Sequence, residues 1–238
     1  MAQDFASKSW HDQRMNENSG FTTPIRDLKI EAVLSRLHAA ADAQEEEAEL
    51  AAGPGNLKNT QWGPDFLKDK MIPIHREQGA FLYLVARSIR AKSIVEFGTS
   101  HGLSTIYFAA AIRDNGTQGQ VIGTEFVAEK MAQAQRNLEQ AGLTRFARIR
   151  EGDARQTLRD LPDGIDMCLM DGFPPYSLEV FRLIAPRLRK GAIVVIDGTE
   201  TLREPQADFL AYLADPSNGF RYTELSIGDG TGLAVKDA

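Results

Sequence analysis

Residues 93–112 constrain the fold more than any other segment of this 238-residue chain. A short apolar run at 93–97 is followed by a turn with two glycines, Gly98 and Gly102, and then by an apolar stretch typical of a buried helix. The pattern predicts a strand, a tight turn and a helix. Because glycine lets a backbone approach a ligand closely, we expect both glycines to leave room for a small molecule at the carboxyl end of the strand.

The spacing within the turn distinguishes two classes of ligand. A dinucleotide pyrophosphate favours three glycines, as G-x-G-x-x-G, and a helix N-terminus directed at its charge. This chain has Glu96-x-Gly98-x-x-x-Gly102 instead, with one glycine fewer and an added acid. A ligand with ammonium and sulfonium groups tolerates that carboxylate better than an anion does. The turn therefore resembles motif I of class I S-adenosylmethionine-dependent methyltransferases, and a nicotinamide (NAD-type) oxidoreductase is the alternative.

Strand and helix patterns alternate along the rest of the chain. Strands are predicted at residues 93–97, 120–125, 146–150, 165–170, 192–196, 222–227 and 232–236, and helices at 25–50, 76–90, 105–112, 127–141, 154–160, 177–188 and 205–213. The Gly-Asp-Gly turn at 228–230 indicates a final hairpin. We expect an α/β protein with a Rossmann-like, mostly parallel seven-stranded sheet, helices on both faces, a C-terminal antiparallel hairpin and an N-terminal helical extension. An antiparallel finish favours the methyltransferase interpretation, because dinucleotide dehydrogenases usually end in parallel strands.

Composition narrows the partners and the compartment. A net charge of −6 argues against nucleic acid and favours a small-molecule acceptor. No apolar run is long enough for a membrane span, and the polar N-terminus lacks the features of a secretory signal. The single cysteine, Cys168, lies in an apolar run, so we expect it to be buried and reduced. These features predict a cytoplasmic protein.

The N-terminal quarter has a different pattern from the rest of the chain. We expect an arm and a helix over residues 1–65 and a methyltransferase domain over residues 66–238. The helix at 25–50 could cap the active site, pair with its copy in a homodimer or pack on its own domain, and the sequence leaves these alternatives open. A loop with Trp62 and Phe66 is placed to fold over a ligand.

The motifs of residues 71–236 together resemble one family. They are Val95–Thr105, Glu125, Gly152-Asp153-Ala154, Met170-Asp171-Gly172, Val195–Gly198 and Gly228–Leu233. Their order and spacing are similar to those of the small catechol and caffeoyl-CoA type O-methyltransferases. The resemblance implies transfer of a methyl group from S-adenosylmethionine to a hydroxyl of a small acceptor, which we expect to be aromatic.

The resemblance also implies the cofactor site. The turn would hold the methionine end, Glu125 would accept hydrogen bonds from both ribose hydroxyls, and Asp153 and Ala154 would lie beside the adenine. Asp153 could also cap the short helix that follows it. The implied cofactor-binding residues are Met71, Ile72, Glu96, Gly98, Ser100, Gly102, Ser104, Glu125, Asp153, Ala154 and Asp171.

The chain departs from the family at the metal and at the base. The resemblance implies a divalent cation such as Mg²⁺ on Asp171 and Asp197, but Gly198 stands where the family has an asparagine ligand. The family's lysine base is absent, since Phe173-Pro174-Pro175-Tyr176 follows Asp171 and Gly172. Candidate catalytic residues are Asp171, His101 and Tyr176, with His75 as a further substitute. A non-catalytic cofactor-binding protein that has lost this chemistry remains an alternative.

Overall fold

A single seven-stranded sheet forms the centre of the molecule, in the order β3-β2-β1-β4-β5-β7-β6. The structure is a computed structural model that describes residues 23–52, 68 and 70–237. The strands are β1 Ser93–Phe97, β2 Gln120–Glu125, β3 Ala147–Glu151, β4 Ile165–Met170, β5 Leu188–Asp197, β6 Phe220–Leu225 and β7 Thr231–Lys236. The helices are α1 Leu28–Ala52, α2 Arg76–Ser88, α3 Leu103–Asp114, α4 Ala128–Ala141, α5 Ala154–Thr157, α6 Ser177–Ile184 and α7 Ala207–Ala214.

The pairing of the strands confirms the predicted fold class. Strands β1 to β5 are parallel, and β7 pairs antiparallel with both β5 and β6. The order reverses between β1 and β4, so the chain leaves these two neighbours toward opposite faces of the sheet. In open α/β sheets the crevice outside the carboxyl ends of such strands is where ligands bind.

Alternate residues of the central strands pack into two separate apolar layers. Ile94 and Leu169 contact the layer formed with α1, α2, α3 and α4. Val95 and Cys168 face the opposite layer, formed with α5, α6 and α7. Cys168 is a buried free thiol, as predicted. Every residue of α3 from 103 to 112 is buried, which explains why its sequence shows no amphipathic period.

Helix α1 packs on its own domain, against α3 and α4. Ile30 and Leu34 are buried in the first apolar layer, and Arg36 Nη2 donates to Asn137 Oδ1 at 2.8 Å. This confirms one of the three roles left open for the helix; pairing in a homodimer stays a prediction. The arm at residues 1–22, the loop with Trp62 and Phe66 and the predicted boundary at residue 65 lie outside the described residues.

Most element boundaries fall within three residues of those predicted. There are two exceptions at one junction: the helix predicted at 177–188 ends at Ile184, because Pro186 lies in a 3-10 turn, Ala185–Arg187, and the strand predicted at 192–196 begins four residues earlier. Leu188 is therefore the first residue of β5, and the prediction that it ends a helix is wrong. Among the described helices, none is both long and apolar enough to cross a membrane.

Candidate functional site

The turn after β1 lies directly against the end of β4. Asp171 N–H donates to the Phe97 carbonyl at 2.9 Å. Gly98 has φ +91°, and a Cβ built there would lie 2.3 Å from the Asp171 carbonyl oxygen. Glycine at 98 is therefore required by the close approach of the two strand ends.

The second glycine of the turn lies against a neighbouring helix. Gly102 has φ +84° and precedes α3, and a Cβ there would lie 3.0 Å from Ala134 Cβ on α4. A side chain at 102 would press against that helix, and the expectation that Gly102 leaves room for a ligand stays a prediction. Gly102 lets α3 start close to α4.

Glu96 is a buried acid that binds the glycine turn and the first residues of α3 through hydrogen bonds. Its side chain is buried and its carboxylate accepts hydrogen bonds from Thr99 Oγ1 at 2.8 Å, Ser104 Oγ at 2.6 Å and Thr105 Oγ1 at 2.5 Å. Burial raises the pKa of Glu96, and the three hydroxyls oppose that shift. In this structure the side chains of Glu96 and Ser104 contact each other. Their predicted contact with a cofactor remains a prediction.

Glu125, at the end of β2, joins the turn to the start of α4. Its Oε2 accepts the Ser100 N–H at 2.7 Å and its Oε1 accepts the Val127 N–H at 2.9 Å. Ser100 has φ +48°, so this hydrogen bond helps to hold a left-handed residue in place. An ionised carboxylate has about four acceptor positions, so two remain for a ligand. These two acceptor positions fit the hydroxyl donors of a vicinal diol.

Phe126 is a further candidate for the site, and the sequence analysis did not name it. It directly follows Glu125 and its residue surface is 73% exposed. An exposed aromatic side chain next to a held carboxylate can provide a stacking surface. The signal was present in the sequence as an aromatic residue directly after a predicted strand end.

Asp153 caps α5, which confirms one of its two predicted roles. The other, a position beside the adenine, stays a prediction. Its Oδ1 accepts the Arg155 N–H at 2.9 Å, and the Arg155 guanidinium also binds the carboxylate, with Nη2 2.6 Å from Oδ2. This ion pair lowers the pKa of Asp153. The same guanidinium lies 4.0 Å from the centre of the Tyr176 ring, whose edge meets Phe173. Tyr176 is thus held beside Asp153, with the buried Ala154 as the first residue of α5.

Met71 and Ile72 form a strap that is tied to two elements. The Gln44 amide on α1 makes two 2.8 Å hydrogen bonds, one to the Met71 N–H and one to its carbonyl. Ile72 N–H donates to Ser100 Oγ at 3.4 Å. The strap therefore contacts the glycine turn, and the predicted contact of Met71 and Ile72 with a cofactor stays a prediction. Gln44 was not anticipated, because its partner is 27 residues away.

Asp171 and Asp197 meet at the neighbouring ends of β4 and β5. Burial first, and then the charge of Asp197, raises the pKa of Asp171 well above its ordinary value, and the two side chains are hydrogen-bonded. Burial also raises the pKa of Asp197, although a hydrogen bond from Gln78 opposes the shift. Two carboxyls in contact must share a proton or a cation.

Buried oxygens without partners surround this pair. Within the described part of the chain, Gln78 Oε1, Thr199 Oγ1 and Asp229 Oδ1 are buried and accept or donate no hydrogen bond. Asp229 Oδ2 lies 3.5 Å from His75 Nε2. Oxygen atoms of this kind, next to carboxyl groups, can coordinate a hard cation or accept a hydrogen bond from a ligand hydroxyl.

A complete metal cluster is not formed by acids and histidines alone. Among residues 23–52, 68 and 70–237, no group of three or more His, Cys, Asp and Glu side chains is arranged to hold a metal ion. Asp171 and Asp197 therefore fit a divalent cation only if another type of oxygen joins them.

His101 lies in the glycine turn. Its backbone carbonyl accepts a hydrogen bond from Asn137 Nδ2 at 2.8 Å, which ties the turn to α4. Burial and the charge of Lys130 lower the pKa of the imidazole, so the ring is neutral near pH 7. A neutral imidazole is able to accept a proton.

Comparison with known proteins identifies related sequences. Residues 95–199 match the family model described as a methyltransferase domain. A catechol O-methyltransferase of Niastella koreensis is 36% identical over 130 residues, which cover 53% of this chain and 58% of that protein. A catechol O-methyltransferase of Mycobacterium tuberculosis is 32% identical over 127 residues, covering 53% and 56%. The matched stretch thus spans less than two thirds of these relatives.

A solved structure matches nearly the whole chain. The cofactor-bound structure of Rv0187 from MTB superposes with a TM-score of 0.71 and covers 97% of this chain and 98% of its own. Its sequence identity is 23%, so the match supports the fold, including the N-terminal helix.

Proposed function

We propose that the protein is an S-adenosylmethionine-dependent O-methyltransferase, on the premise that residues 95–199 match the family model of a methyltransferase domain. Its acceptor would be a hydroxyl of a small aromatic molecule. The observation that carries the proposal is Glu125, which is fixed by two backbone N–H groups and keeps acceptor positions for the ribose hydroxyls. The names of the related catechol O-methyltransferases support the hydroxyl as the acceptor group.

The proposed cofactor site follows the rim of the crevice. Glu125 binds the ribose, and Phe126 gives the adenine an aromatic surface. Asp153 lies farther along the rim, with its carboxylate already paired to Arg155, so an adenine amino group must share that carboxylate. The strap of Met71 and Ile72 covers the methionine end, and the glycine turn lies under it.

When bound, S-adenosylmethionine supplies a methyl group on a sulfonium that an in-line oxygen nucleophile can take. The chain's own task is to position the acceptor hydroxyl and to receive its proton. Asp171 is the candidate that the contacts favour, because its backbone N–H is bonded to the Phe97 carbonyl and this places the residue beside the glycine turn, at the carboxyl end of β4. His101 remains a candidate because its imidazole is neutral. Tyr176 is less suited, since its ring is held under Arg155.

We also propose that Asp171 and Asp197 hold a divalent cation. The oxygen donors suit Mg²⁺ or Mn²⁺, and the cation when bound would lower the pKa of the acceptor hydroxyl.

A homodimer and a cytoplasmic location complete the proposal. Leu28 on α1 is 89% exposed, which leaves an apolar contact for a second copy, and the net charge of −6 favours a small molecule over nucleic acid as partner.

Incubation with S-adenosylmethionine and a panel of catechols and simple phenols tests the activity. We expect a monomethyl ether and S-adenosylhomocysteine in equal amounts, with the rate lowered by chelator and restored by Mg²⁺ or Mn²⁺. Thermal stabilisation by S-adenosylhomocysteine without turnover of any acceptor would support the non-catalytic alternative. Stabilisation by NAD instead would favour an oxidoreductase.

Replacing Phe126 with alanine is expected to weaken S-adenosylhomocysteine binding about five- to tenfold, because one aromatic contact contributes about 1 kcal/mol. Isothermal titration calorimetry measures the change. Phe126→Tyr keeps the ring and is the matched control, with affinity close to that of the wild type. Equal affinity in Phe126→Ala would remove this residue from the proposed adenine site.

A further inference from the structure

Gln78 is a fully buried polar side chain that the proposed mechanism has not used. It lies in the first turn of α2, at 0% exposure. Its Nε2 donates to Asp197 Oδ1 at 2.6 Å and to Thr231 Oγ1 at 3.1 Å. Its Oε1 has no hydrogen-bond partner among the described residues. Leaving a buried carbonyl oxygen without a partner costs about 1–3 kcal/mol of folding free energy, and a bound ligand would remove that cost.

Position 198 cannot supply a metal ligand from a side chain. Gly198 follows Asp197 directly, but it has no side chain, and its φ is +67°. A Cβ there would lie 2.8 Å from Leu202 Cδ1. Gln78 reaches the same carboxylate from another element, 119 residues away in the chain. The donors at this point are therefore two carboxylates and one amide.

We propose that Gln78 is the third protein ligand of a divalent cation held by Asp171 and Asp197. The terminal amide torsion of glutamine is soft, and a half-turn exchanges Oε1 with Nε2. Oε1 would then lie close to the present Nε2 position, 2.6 Å from Asp197 Oδ1. Adjacent oxygens around Mg²⁺ are about 3 Å apart when each metal–oxygen distance is about 2.1 Å. Only a small shift is needed.

The rotation leaves the neighbouring hydroxyl with a partner. Thr231 Oγ1 also donates to the Ile227 carbonyl at 2.9 Å, and it loses only the hydrogen bond that it accepts from Gln78. Oε1 gains the cation, while Nε2 gives up its hydrogen bonds to Asp197 and Thr231 and takes the position that Oε1 occupied. The inference rests on the proposed cation site and adds the residue that completes it.

A different role for Gln78 predicts the opposite change in cation affinity when the amide is removed. If the amide served only as a hydrogen-bond donor to Asp197, its removal would free that carboxylate and leave cation affinity unchanged or stronger. If the amide oxygen is a ligand, its removal weakens the cation. Gln78→Leu, which keeps similar size and lacks the oxygen, separates the two roles.

The experiment is calorimetric titration of Mn²⁺ into the full-length protein loaded with S-adenosylhomocysteine. We expect Gln78→Leu to bind Mn²⁺ at least tenfold more weakly and Gln78→Glu to bind it as tightly as the wild type or more tightly. Gln206→Leu is the matched control, because Gln206 is a buried glutamine whose amide donates to the Asp197 and Gly198 carbonyls rather than to a carboxylate. We expect that variant to stay within about twofold of the wild type.

Unchanged or tighter Mn²⁺ binding in Gln78→Leu overturns the inference, as does an equal loss in Gln206→Leu, which would point to distortion of the loop. Wild-type protein that binds S-adenosylhomocysteine but no Mn²⁺ also overturns it while leaving the proposed cofactor intact. Absence of S-adenosylhomocysteine binding would instead reject the proposed function. Should Gln78→Leu fail to fold, Gln78→Asn, which withdraws the oxygen by one methylene, is expected to show the same tenfold loss.

Discussion

Replacing Glu96 with alanine is expected to lower the free energy of unfolding by at least about 3 kcal/mol, because three buried hydroxyls lose their common acceptor. Thr99, Ser104 and Thr105 all donate to this carboxylate, and each stranded hydroxyl costs about 1–3 kcal/mol. The three costs overlap, since the hydroxyls share one site. Chemical denaturation measures the loss.

Glu139→Ala is the matched control for the loss of a glutamate side chain. Glu139 is exposed in the last turn of α4, so its removal should change the free energy of unfolding by less than about 0.5 kcal/mol. A similar small change in Glu96→Ala would contradict the role of Glu96 as the support of the glycine turn.

The pH dependence of stability gives a second readout at Glu96. Burial raises its folded-state pKa above the ordinary value of 4.5, so the unfolded chain loses this proton at lower pH than the folded protein does. The contribution of Glu96 is therefore fully present below about pH 4.5 and is lost as pH rises through the folded-state pKa. Glu96→Gln cannot titrate, so its stability relative to the wild type should improve as pH rises through that range.

The sheet was predictable because its signals are local. Each parallel strand except β3 contains a short apolar run, and the Gly-Asp-Gly sequence at 228–230 marks the hairpin. The end of α6 was placed too late because residues 185–188 remain apolar or basic across the boundary. There the proline decided the structure more strongly than the periodicity did.

The candidate site was predictable only in part. Glu125 and Asp197 stand at strand ends, where sequence alone indicates a function. The contact of Gln78 with Asp197 joins residues 119 positions apart, and no local pattern reports it. Likewise, the pairing of Arg155 with both Asp153 and Tyr176 depends on how α5 approaches the turn Pro174–Tyr176. Such side-chain networks follow from tertiary packing, which a single sequence does not display.

Replacing Glu125 with alanine is expected to weaken S-adenosylhomocysteine binding by about 2–3 kcal/mol, or roughly 30- to 150-fold. The variant removes the proposed acceptor for the ribose hydroxyls and also the partner of the Ser100 and Val127 N–H groups. Both losses act on the cofactor site, the first directly and the second by loosening the glycine turn. Calorimetry of the folded variant measures the combined effect.

Two further variants separate a specific contact from a general loss of charge. Glu151 is exposed and pairs with Glu125 across β2 and β3, so Glu151→Ala removes a carboxylate at the same edge of the sheet and should leave affinity within about twofold. Glu125→Gln keeps the size and one acceptor oxygen and should give an intermediate loss of about tenfold. Affinity in Glu125→Ala equal to that of Glu151→Ala would show that the ribose is bound elsewhere, because Glu125 is the one of these two residues whose carboxylate accepts the Ser100 and Val127 N–H groups.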